Sequence, residues 1–387
     1  MYSRAKKKER ASSKDVLIYE YKCTGSKAQY AAIDDAIRVC QFIRNKCVRL
    51  WMDEHATKNE LQVYCAVLAK DYPFARSLNS MARQASADRA WFAIVRFYEN
   101  CKAKKPGKKG YPRFQKHTRS VEYKTSGWKL EPDGRHLSFT DGCGIGRLRL
   151  VGTRDIERFP IQQIKRVRLI RRADGYYCQF VVQAQRHVEH VWGGQAVGID
   201  VGLKAFYTDS QGSTVENPRH YRRAEKRLKR LQRRLSKKQK QSANRQKARK
   251  TVAKAHLKVQ RQREDFARKQ ANALVTSHDL IAFEDLHISN MGRNHHLAKS
   301  IYDAGWDSFL SWVNYYASLH GTAVVAVSPQ FTTQDCSACG TRVKKSLSVR
   351  THLCPGCGLV LDRDHNAAVN ILAKALSTVG QTGTDAP

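Results

Sequence analysis

The most evident shortage in this sequence is of acidic residues. Its 387 residues include 34 Asp and Glu against 70 Lys and Arg, which gives a formal net charge of +36. A positive surplus of this size repels itself unless a polyanion neutralises it, and nucleic acid is a polyanion that basic side chains bind through its phosphates. A membrane surface is the alternative partner, but the sequence has no amphipathic stretch rich in Trp and Leu that would dock there.

Long hydrophobic runs are also missing. The longer apolar segments, such as residues 322–327, are far too short to span a bilayer. The first ten residues, MYSRAKKKER, are basic, but no apolar segment follows them, so we expect no signal peptide. These absences predict a protein that has no membrane partner and works in the cytoplasm.

Most of the cysteines lack the spacing of a disulfide framework, which suits a reducing compartment. These scattered cysteines are Cys23, Cys40, Cys47, Cys65, Cys101, Cys143 and Cys178.

The other four cysteines form two Cys-x-x-Cys pairs that lie fourteen residues apart, Cys336 with Cys339 and Cys354 with Cys357. Each pair supplies two thiolates from one tight turn, and two pairs complete the tetrahedron that Zn²⁺ prefers. Ordinary buried cysteines or two disulfides are the alternatives. Because four cysteines leave no open coordination position, we predict one structural zinc ion and no catalytic role for it.

The first half of the chain reads as a β-module with a helical insert. Residues 15–23 alternate like a strand, and from Ser26 the apolar residues follow a helical period instead. Strand patterns return in residues 121–190, where Asp174 and Gly175 are the predicted turn of a hairpin. A helix from 79 to 101 would bury a face that includes Ala82 and Phe92.

Two basic segments are candidates for nucleic-acid contact. Residues 222–269 contain twenty-one Lys and Arg against three acids, and their sparse apolar residues predict two long helices joined near residues 237–244. Such a run is often only a solvated face, but the scarcity of acids favours contact with phosphates, with Arg230 and Arg234 as candidates. The segment GYPRF places Tyr111 and Arg113 beside a lysine-rich loop, a combination that suits phosphates and unpaired bases.

Three acidic residues stand out in the second half of the chain. Asp200 lies within the apolar segment 197–201, Glu284 ends a second apolar segment, and Asp364 falls at the start of a helical pattern, where it could cap the helix. A carboxylate within a strand is costly unless it is paired or binds a metal. Asp285 would point away from Glu284, so only one of them can share a site with Asp200.

Acids from separate elements suit hydrolysis of a phosphodiester by two Mg²⁺ ions. Such a site needs converging carboxylates, one of which bridges the two ions. Hard oxygen ligands select Mg²⁺ or Mn²⁺ over zinc. The sequence therefore predicts a nuclease site with two catalytic Mg²⁺ ions at Asp200, Glu284 and Asp364, although a structural role for Asp200 is an alternative.

Five segments resemble the TnpB family of transposon-encoded, RNA-guided DNA nucleases, which are related to compact type V CRISPR effectors. GIDVGLKAF, AFEDLHISNM, SIYDAGWDSF and CSACG…CPGCG…DRDHNAAVNI resemble its RuvC-type nuclease and zinc-ribbon blocks, and GYPRF resembles a block of its N-terminal half. The resemblance covers roughly residues 80–375. It implies that Asp200, Glu284 and Asp364 are the catalytic acids and that the four paired cysteines bind zinc.

The resemblance also implies the partners. They are a guide RNA transcribed from the transposon end and double-stranded DNA, cut beside a short transposon-adjacent motif. Gln84 and Thr125 resemble positions that contact the duplex at this motif, and Arg350 could steady the scissile phosphate or be only a solvated arginine. We expect a prokaryotic cytoplasmic protein near the nucleoid and favour a monomer on RNA, although the sequence leaves the oligomeric state open.

The implied fold is multidomain, α+β and α/β. An N-terminal β-barrel (wedge) with a helical recognition insert precedes an RNase H-like RuvC domain that contains a zinc ribbon. The predicted segments are 1–25 and 103–192 for the wedge, 26–102 for the insert, 193–331 and 361–376 for the RuvC domain, 332–360 for the ribbon and 377–387 for a disordered tail.

Two other functions fit parts of the sequence. A regulator that binds guide RNA and DNA without cutting would explain the charge, but the three acids argue against it. A transposase or junction resolvase could share the RNase H-like core, but the zinc insertion between the second and third acid disfavours it. Cleavage that depends on Mg²⁺ separates the first alternative from a nuclease, and co-purifying RNA separates the second.

Overall fold

The computed structural model describes residues 16–184, 193–346 and 348–382. The chain divides into two compact units, residues 1–185 and 186–387. Trp192, the last residue of the predicted wedge segment 103–192, lies outside the described residues. Within the described ranges, no helix is both long enough and apolar enough to cross a membrane.

The described residues of the first unit, 16–184, form four α-helices and seven strands. In chain order the elements are β1 (Val16–Thr24), α1 (Lys27–Glu54), α2 (Lys58–Asp71), α3 (Pro73–Arg76), α4 (Ser80–Lys102), β2 (Ser120–Tyr123), β3 (Trp128–Leu130), β4 (His136–Phe139), β5 (Arg147–Val151), β6 (Ile164–Arg172) and β7 (Gly175–Gln183).

Capping boxes fix the starts of α1 and α2. The Ser26 hydroxyl accepts a hydrogen bond from the backbone N–H of Gln29, whose side chain accepts one from the Ser26 N–H in return. Thr57 and Glu60 repeat the arrangement at α2. Reciprocal bonds of this kind satisfy N–H groups that have no partner inside the helix, which explains the change of period that the sequence shows at Ser26.

The strands of the first unit form one antiparallel sheet in the order β2-β6-β7-β1-β5-β4-β3. The sheet curls, so that Tyr123 of β2 contacts Phe139 of β4 with ring centroids 4.9 Å apart. A closed barrel needs a hydrogen-bonded neighbour on both sides of every strand, and no ladder joins β2 to β3 in the described residues. The predicted barrel is therefore a curled half-barrel.

Two local predictions in this unit are wrong. Arg172 pairs with Gly175, so the turn of the β6–β7 hairpin consists of Ala173 and Asp174, one residue earlier than expected. Phe92 of α4 is 52% exposed, because the helix buries an alanine-rich face that includes Ala82 and Ala90.

The second unit contains the elements β8 (Ala196–Val201), β9 (Ala205–Asp209), β10 (Thr214–Glu216), α5 (His220–Ser236), α6 (Ala243–Ser277), β11 (Leu280–Glu284), α7 (Ile288–Met291), α8 (Ala298–Ala304), α9 (Trp306–His320), β12 (Ala323–Val327), β13 (Thr351–Leu353), β14 (Val360–Asp362) and α10 (Arg363–Thr382). Five of its strands form a mixed sheet in the order β10-β9-β8-β11-β12. Strands β8, β11 and β12 are parallel, whereas β9 and β10 are antiparallel to their neighbours.

Helices cover both faces of this mixed sheet. Val197 and Ile199 of β8 pack with residues of α6 and α9 in one core. Ala282 of β11 packs with Ile371 and Ala375 of α10 in a smaller cluster. Because successive side chains of a strand point to opposite faces, even-numbered residues of β8 and β11 face α10.

At Gly198, the backbone of β8 lies very close to the backbone of α10. A Cβ atom at this position would lie 2.2 Å from the Ala368 carbonyl oxygen and 2.7 Å from the Leu372 backbone nitrogen. Backbone atoms of a packed helix cannot move aside as a flexible side chain can, so only glycine fits here.

We therefore expect Gly198→Ala to destabilise the second unit by roughly 2 kcal/mol, as overpacked cores generally do. Urea unfolding followed by circular dichroism measures this. Gly193→Ala is the matched control, because its Cβ would meet only Gln195 at 4.0 Å. Equal midpoints for the two variants would contradict the packing argument.

Helices α5 and α6 form the hairpin that the sequence predicts, with residues 237–242 between them. The start of α5 has no cap of its own, and Arg219 before it adopts a left-handed conformation. Asp303, 6% exposed, supplies the cap from α8 by accepting hydrogen bonds from the N–H groups of Tyr221 (2.8 Å) and Arg222 (3.0 Å). This carboxylate fixes the direction in which the basic hairpin leaves the unit.

The tail prediction is wrong in part. Helix α10 continues to Thr382 instead of ending at 376. The hydroxyls of Ser377 and Thr378 donate to the Lys374 carbonyl, at 2.8 and 2.9 Å, which accommodates small polar residues within a helix. Residues 383–387 lie outside the described part of the chain.

Candidate active site and metal centre

The three predicted acids come together at one end of the mixed sheet. In the parallel pair β8–β11, Ala282 faces Gly198 and Phe283 faces Ile199. The same register continued by one residue places Glu284 beside Asp200, on the face covered by α10. Asp364 lies in the first turn of that helix.

Burial and neighbouring negative charge shift the pKa values of two of these acids, Asp200 and Glu284. Burial raises the pKa of Asp200 well above its ordinary value, and the negative charges of Glu284 and Asp364 raise it further. Burial also raises the pKa of Glu284, against the opposing effects of the Thr332 hydroxyl and the Lys374 ammonium group. Carboxylates that repel one another in this way are stabilised by a cation placed between them.

Two of the acids have partners of their own. The Thr332 hydroxyl donates to Oε1 of Glu284 at 2.5 Å. Asp364 accepts from Nη2 of Arg363 at 2.8 Å and from Nη1 of Arg350 at 3.4 Å. The predicted arginine, Arg350, therefore lies directly beside one of the predicted acids.

Asp364 does not cap α10, contrary to expectation. Oδ1 of Asp362 accepts from the N–H groups of Asp364 and His365, at 2.8 and 3.3 Å. Since Asp362 satisfies these groups, the Asp364 carboxylate is left for the arginines and for its acidic neighbours.

The four paired cysteines form a compact group. Their sulfur atoms all lie within 4.8 Å of one another, with Sγ of Cys336 3.6 Å from Cys357 and Sγ of Cys339 3.5 Å from Cys354. Four thiolates about 2.3 Å from a tetrahedral Zn²⁺ are separated by roughly 3.8 Å, so the group fits this ion. Among the described residues the three acids do not form so close a group.

Local hydrogen bonds favour the metal-binding form of Cys339 and shape the turns of both cysteine pairs. The hydroxyl and backbone N–H of Thr341 lower the pKa of Cys339 to about 6. A lower pKa favours the thiolate, which is the form that binds metal. The backbone N–H of Gly340 donates to the Cys336 carbonyl at 2.9 Å and closes the first turn, and Gly358 repeats this on Cys354 at 3.0 Å.

Tyr111 and Arg113 lie on the surface of the first unit. Tyr111 is 51% exposed and packs against Trp51 and Phe97, with ring centroids 5.5 and 5.2 Å away. The Arg113 carbonyl accepts a hydrogen bond from Arg44 at 2.9 Å, and the Arg113 side chain is exposed. One face of this segment is held by the helices while its aromatic and basic groups stay accessible.

Gln84 and Thr125 both belong to the region around the start of α4. Gln84 is half-buried on that helix, and Thr125 is exposed in the turn after β2, although it falls within the strand patterns predicted for residues 121–190. The turn is held to the helix start because Ser126 donates to Asn79, and a Cβ at Gly127 would lie 2.6 Å from the Asn79 side chain.

Arg230 and Arg234 are exposed on α5. The three acids of the basic segment pair locally, Glu225 with Lys229 and Lys299, Glu264 with Arg268, and Asp265 with Lys269. The hairpin consequently presents a strongly positive surface.

Comparison with known families matches two parts of the chain. Residues 179–295 match the family OrfB_IS605, described as "Probable transposase". Residues 306–371 match the "Cas12f1-like, TNB domain". The first range includes Asp200 and Glu284, and the second includes Asp364 and the four paired cysteines.

Curated relatives agree with these matches. A Streptomyces pristinaespiralis protein named "Putative RNA-guided DNA endonuclease" is 42% identical over 184 residues, which are 47% of this chain and 46% of that protein. The Escherichia coli (strain K12) protein named "Putative RNA-guided DNA endonuclease InsQ" is 29% identical over 72% of this chain and 71% of its own. The match to the first relative thus spans about half of either protein.

The chain is similar to proteins of the TnpB family, among them a "TnpB-like protein L79" of Acanthamoeba polyphaga mimivirus that is 30% identical over 32% of this chain and 25% of its own. The fold of this chain is also similar to a solved structure, the "Cryo-EM structure of the Cas12f1-sgRNA-target DNA complex", with a TM-score of 0.53 and 13% identity over 89% of this chain and 81% of that one. This likeness concerns the fold alone and agrees with the curled half-barrel followed by a mixed sheet. The resemblance to TnpB stated from the sequence is thereby confirmed.

Sequence reasoning missed several residues near the three acids. Thr332 is 2% exposed and bonds Glu284, and Asn366 is fully buried on α10. Asn370 and Lys374 follow Asn366 at intervals of four residues, a polar helical repeat that could have been read from the sequence.

Proposed function

We propose that this protein is an RNA-guided DNA endonuclease, which hydrolyses phosphodiesters of double-stranded DNA next to a short flanking motif. The observation that carries the proposal is the meeting of Asp200, Glu284 and Asp364, from β8, β11 and α10, in a chain similar to proteins of the TnpB family. The names of the relatives support the RNA-guided reaction. The order and direction of the five strands support an RNase H-like, RuvC-type nuclease domain.

Asp200, Glu284 and Asp364 would hold two Mg²⁺ ions. Carboxylate oxygens are the ligands that Mg²⁺ prefers. Burial and, after it, the negative charges of Glu284 and Asp364 raise the pKa of Asp200, and bound cations would relieve this repulsion. When bound, the ions supply activation of the attacking water and stabilisation of the leaving 3′ oxygen.

The remaining groups orient the acids and the phosphate. The Thr332 hydroxyl holds one oxygen of Glu284 and leaves the other available. Arg350 contacts Asp364 at 3.4 Å and is 45% exposed in its side chain. It can therefore turn to a scissile phosphate, for which its planar cation is well suited.

One Zn²⁺ ion would occupy the four cysteines as a structural site. The sulfur spacing supports this assignment, and four thiolates leave no open coordination position for water or substrate, so the ion would have no catalytic part. The paired strands β13 and β14 lie on either side of the second cysteine pair and support a ribbon that joins the site to α10.

The remaining assignments extend the same proposal. The half-barrel would be the wedge, from 1–25 and 103–192, and α1 to α4 would be the recognition insert within 26–102. The RuvC domain would comprise 193–331 and the part of the chain from 361, with the ribbon at 332–360 between them. We place the protein in the prokaryotic cytoplasm, with a guide RNA and double-stranded DNA as its partners.

The basic surfaces would hold the nucleic acids by their backbones. Arg230 and Arg234 on the hairpin, with Tyr111 and Arg113 on the first unit, would contact guide RNA and the heteroduplex. Gln84 and Thr125 would read the flanking motif on the DNA. In such complexes base pairing reads the target, so the protein needs only charge and shape along most of the duplex.

Binding of RNA should accordingly weaken steeply with salt. If six or more phosphates are neutralised, we expect affinity to fall roughly 10³-fold between about 50 and about 200 mM salt, because bound counterions are released. Fluorescence anisotropy with labelled guide RNA measures the slope. A flat salt titration would remove the electrostatic argument.

A cleavage assay tests the proposed function. The chain is expressed with its native downstream DNA, the co-purifying RNA is sequenced, and its end is reprogrammed against a plasmid library with randomised flanks. We expect breaks that require the guide and Mg²⁺, beside one enriched flank. Binding that depends on the guide but yields no breaks would indicate a regulator, and an absence of bound RNA would indicate another RNase H-like enzyme.

A further inference from the structure

One face of α10 carries a polar stripe, formed by Asn366, Asn370 and Lys374. These residues are spaced by four, so they lie above one another on the same side of the helix. Asn366 is fully buried, together with its apolar neighbours Ala367 and Ala368. A buried amide is costly unless its donor and acceptor are both used, so its partners indicate what the stripe does.

In the described part of the chain, the hydrogen bonds of these three side chains all go to residues 328–337, the segment that leads into the first cysteine pair. Oδ1 of Asn366 accepts from the N–H of Ser337 at 3.0 Å, and its Nδ2 donates to the Asp335 carbonyl at 2.9 Å. These two bonds lie on either side of Cys336. Nδ2 of Asn370 also donates to the Asp335 carbonyl, at 2.7 Å.

The rest of the stripe extends the contact along the same segment. Asn370 donates to the Thr332 carbonyl at 2.8 Å, and Nζ of Lys374 donates to the Gln330 carbonyl at 2.5 Å. The side chain of Thr332 in turn donates to Glu284 at 2.5 Å. A continuous set of hydrogen bonds thus runs from the residues on either side of Cys336 to Glu284, along the helix that carries Asp364.

We propose that Asn366 and Asn370 are positioning residues, which lock the first cysteine pair to α10 so that metal binding at the cysteines fixes Glu284 and Asp364 relative to each other. Without these two amides, the segment would be held to α10 by Lys374 alone at its far end, near Gln330, while the ion would hold Cys336 and one hydroxyl would hold Glu284. The inference rests on the proposed function for the role of the acids, but the mechanical link is independent of it.

Hydrogen exchange measured by mass spectrometry tests the link on the full chain. The double variant N366A/N370A is compared with wild type, each with zinc bound and after chelation. We expect the double variant to retain one zinc ion per chain yet to exchange faster in residues 328–337 and in the first two turns of α10. In wild type, chelation should produce the same change, whereas α6 should be unaffected in both.

The dependence of cleavage on Mg²⁺ gives a second readout. Loss of groups that orient metal ligands typically weakens metal affinity by about tenfold or more, so half-maximal cleavage by the variant should require about tenfold more Mg²⁺. A merely structural defect would lower the active fraction without shifting this concentration. Asn314→Ala is the matched control, because this exposed asparagine bonds only Leu310 within its own helix.

If the double variant does not fold, the single variant Asn370→Ala replaces it. This change removes the donor to Thr332 and Asp335 and keeps both bonds of Asn366, so a smaller increase in exchange is expected. Unchanged exchange in residues 328–337, or an unchanged Mg²⁺ requirement in a variant that exchanges faster, would overturn the inference. Failure of wild type to cut DNA would instead count against the proposed function. The hydrogen-exchange data would still show whether Asn366 and Asn370 link the first cysteine pair to α10.

Discussion

Asp200→Asn is expected to abolish DNA cleavage, by about 10³-fold or more, because a metal-held transition state loses several kcal/mol of stabilisation. Asparagine is nearly isosteric, and the side chain lies away from the basic hairpin, so affinity for guide RNA should be unchanged. Initial cleavage rates and RNA anisotropy on the same preparation measure the two effects.

Asp285→Asn is the matched control for this experiment. Asp285 follows Glu284 directly, but it is exposed and its N–H bonds the Val327 carbonyl at 2.8 Å. Its side chain points away from the face of the sheet that carries Glu284, so cleavage should be retained. A simultaneous loss of RNA binding in Asp200→Asn would mean that the acid is structural.

Asp200→Asn should also be more stable than wild type when no divalent ion is present. Because the pKa of Asp200 is raised in the folded protein, the fold binds a proton more tightly than the unfolded chain does. Wild type therefore loses stability as pH rises from the ordinary Asp range through the raised pKa. Asparagine stays neutral at every pH. In EDTA, the melting temperature of wild type should therefore decrease relative to that of Asp200→Asn as pH rises, and Mg²⁺ should remove the difference.

Cys336→Ser is expected to unfold the ribbon and not only to slow the reaction. Structural zinc sites contribute roughly 10–16 kcal/mol of apparent binding free energy in small domains, and a serine hydroxyl is a poor ligand for zinc. Cys336 is 3% exposed, and its neighbours bond Asn366 and Asn370, so the damage should reach α10. Zinc content and limited proteolysis of residues 328–382 measure the effect.

Cys101→Ser provides the comparison, since Cys101 is half-buried near the end of α4 in the first unit. Its zinc content and proteolysis should match those of wild type. A Cys336→Ser protein that is soluble, active and free of zinc would contradict a structural role for the metal.

Local patterns predicted much of this structure because they act over a few residues. The change to a helical period at Ser26, the two cysteine pairs and the helix hairpin are all defined by short spacings. The acids could be identified because Asp200 interrupts an apolar strand and Glu284 ends another, and the parallel register then brings them together.

Features that depend on distant contacts could not be predicted in the same way. Closure of the β-module depends on whether β2 and β3 pair, which no local pattern decides. The cap of α5 comes from Asp303, some eighty residues along the chain. The partners of Asn366 lie about thirty residues before it, so its spacing on α10 indicates a polar face without revealing what that face binds.

The central claim is that a bound RNA directs these acids to a chosen DNA sequence. Its most direct test crosses two guide RNAs with two plasmids, each matching one guide and carrying the same flank, in Mg²⁺ and in EDTA. The account predicts double-strand breaks only in matched pairs with Mg²⁺, at positions that move with the guide. Cutting at the same place with either guide, or no cutting by a protein that holds its guide and its zinc, would contradict it.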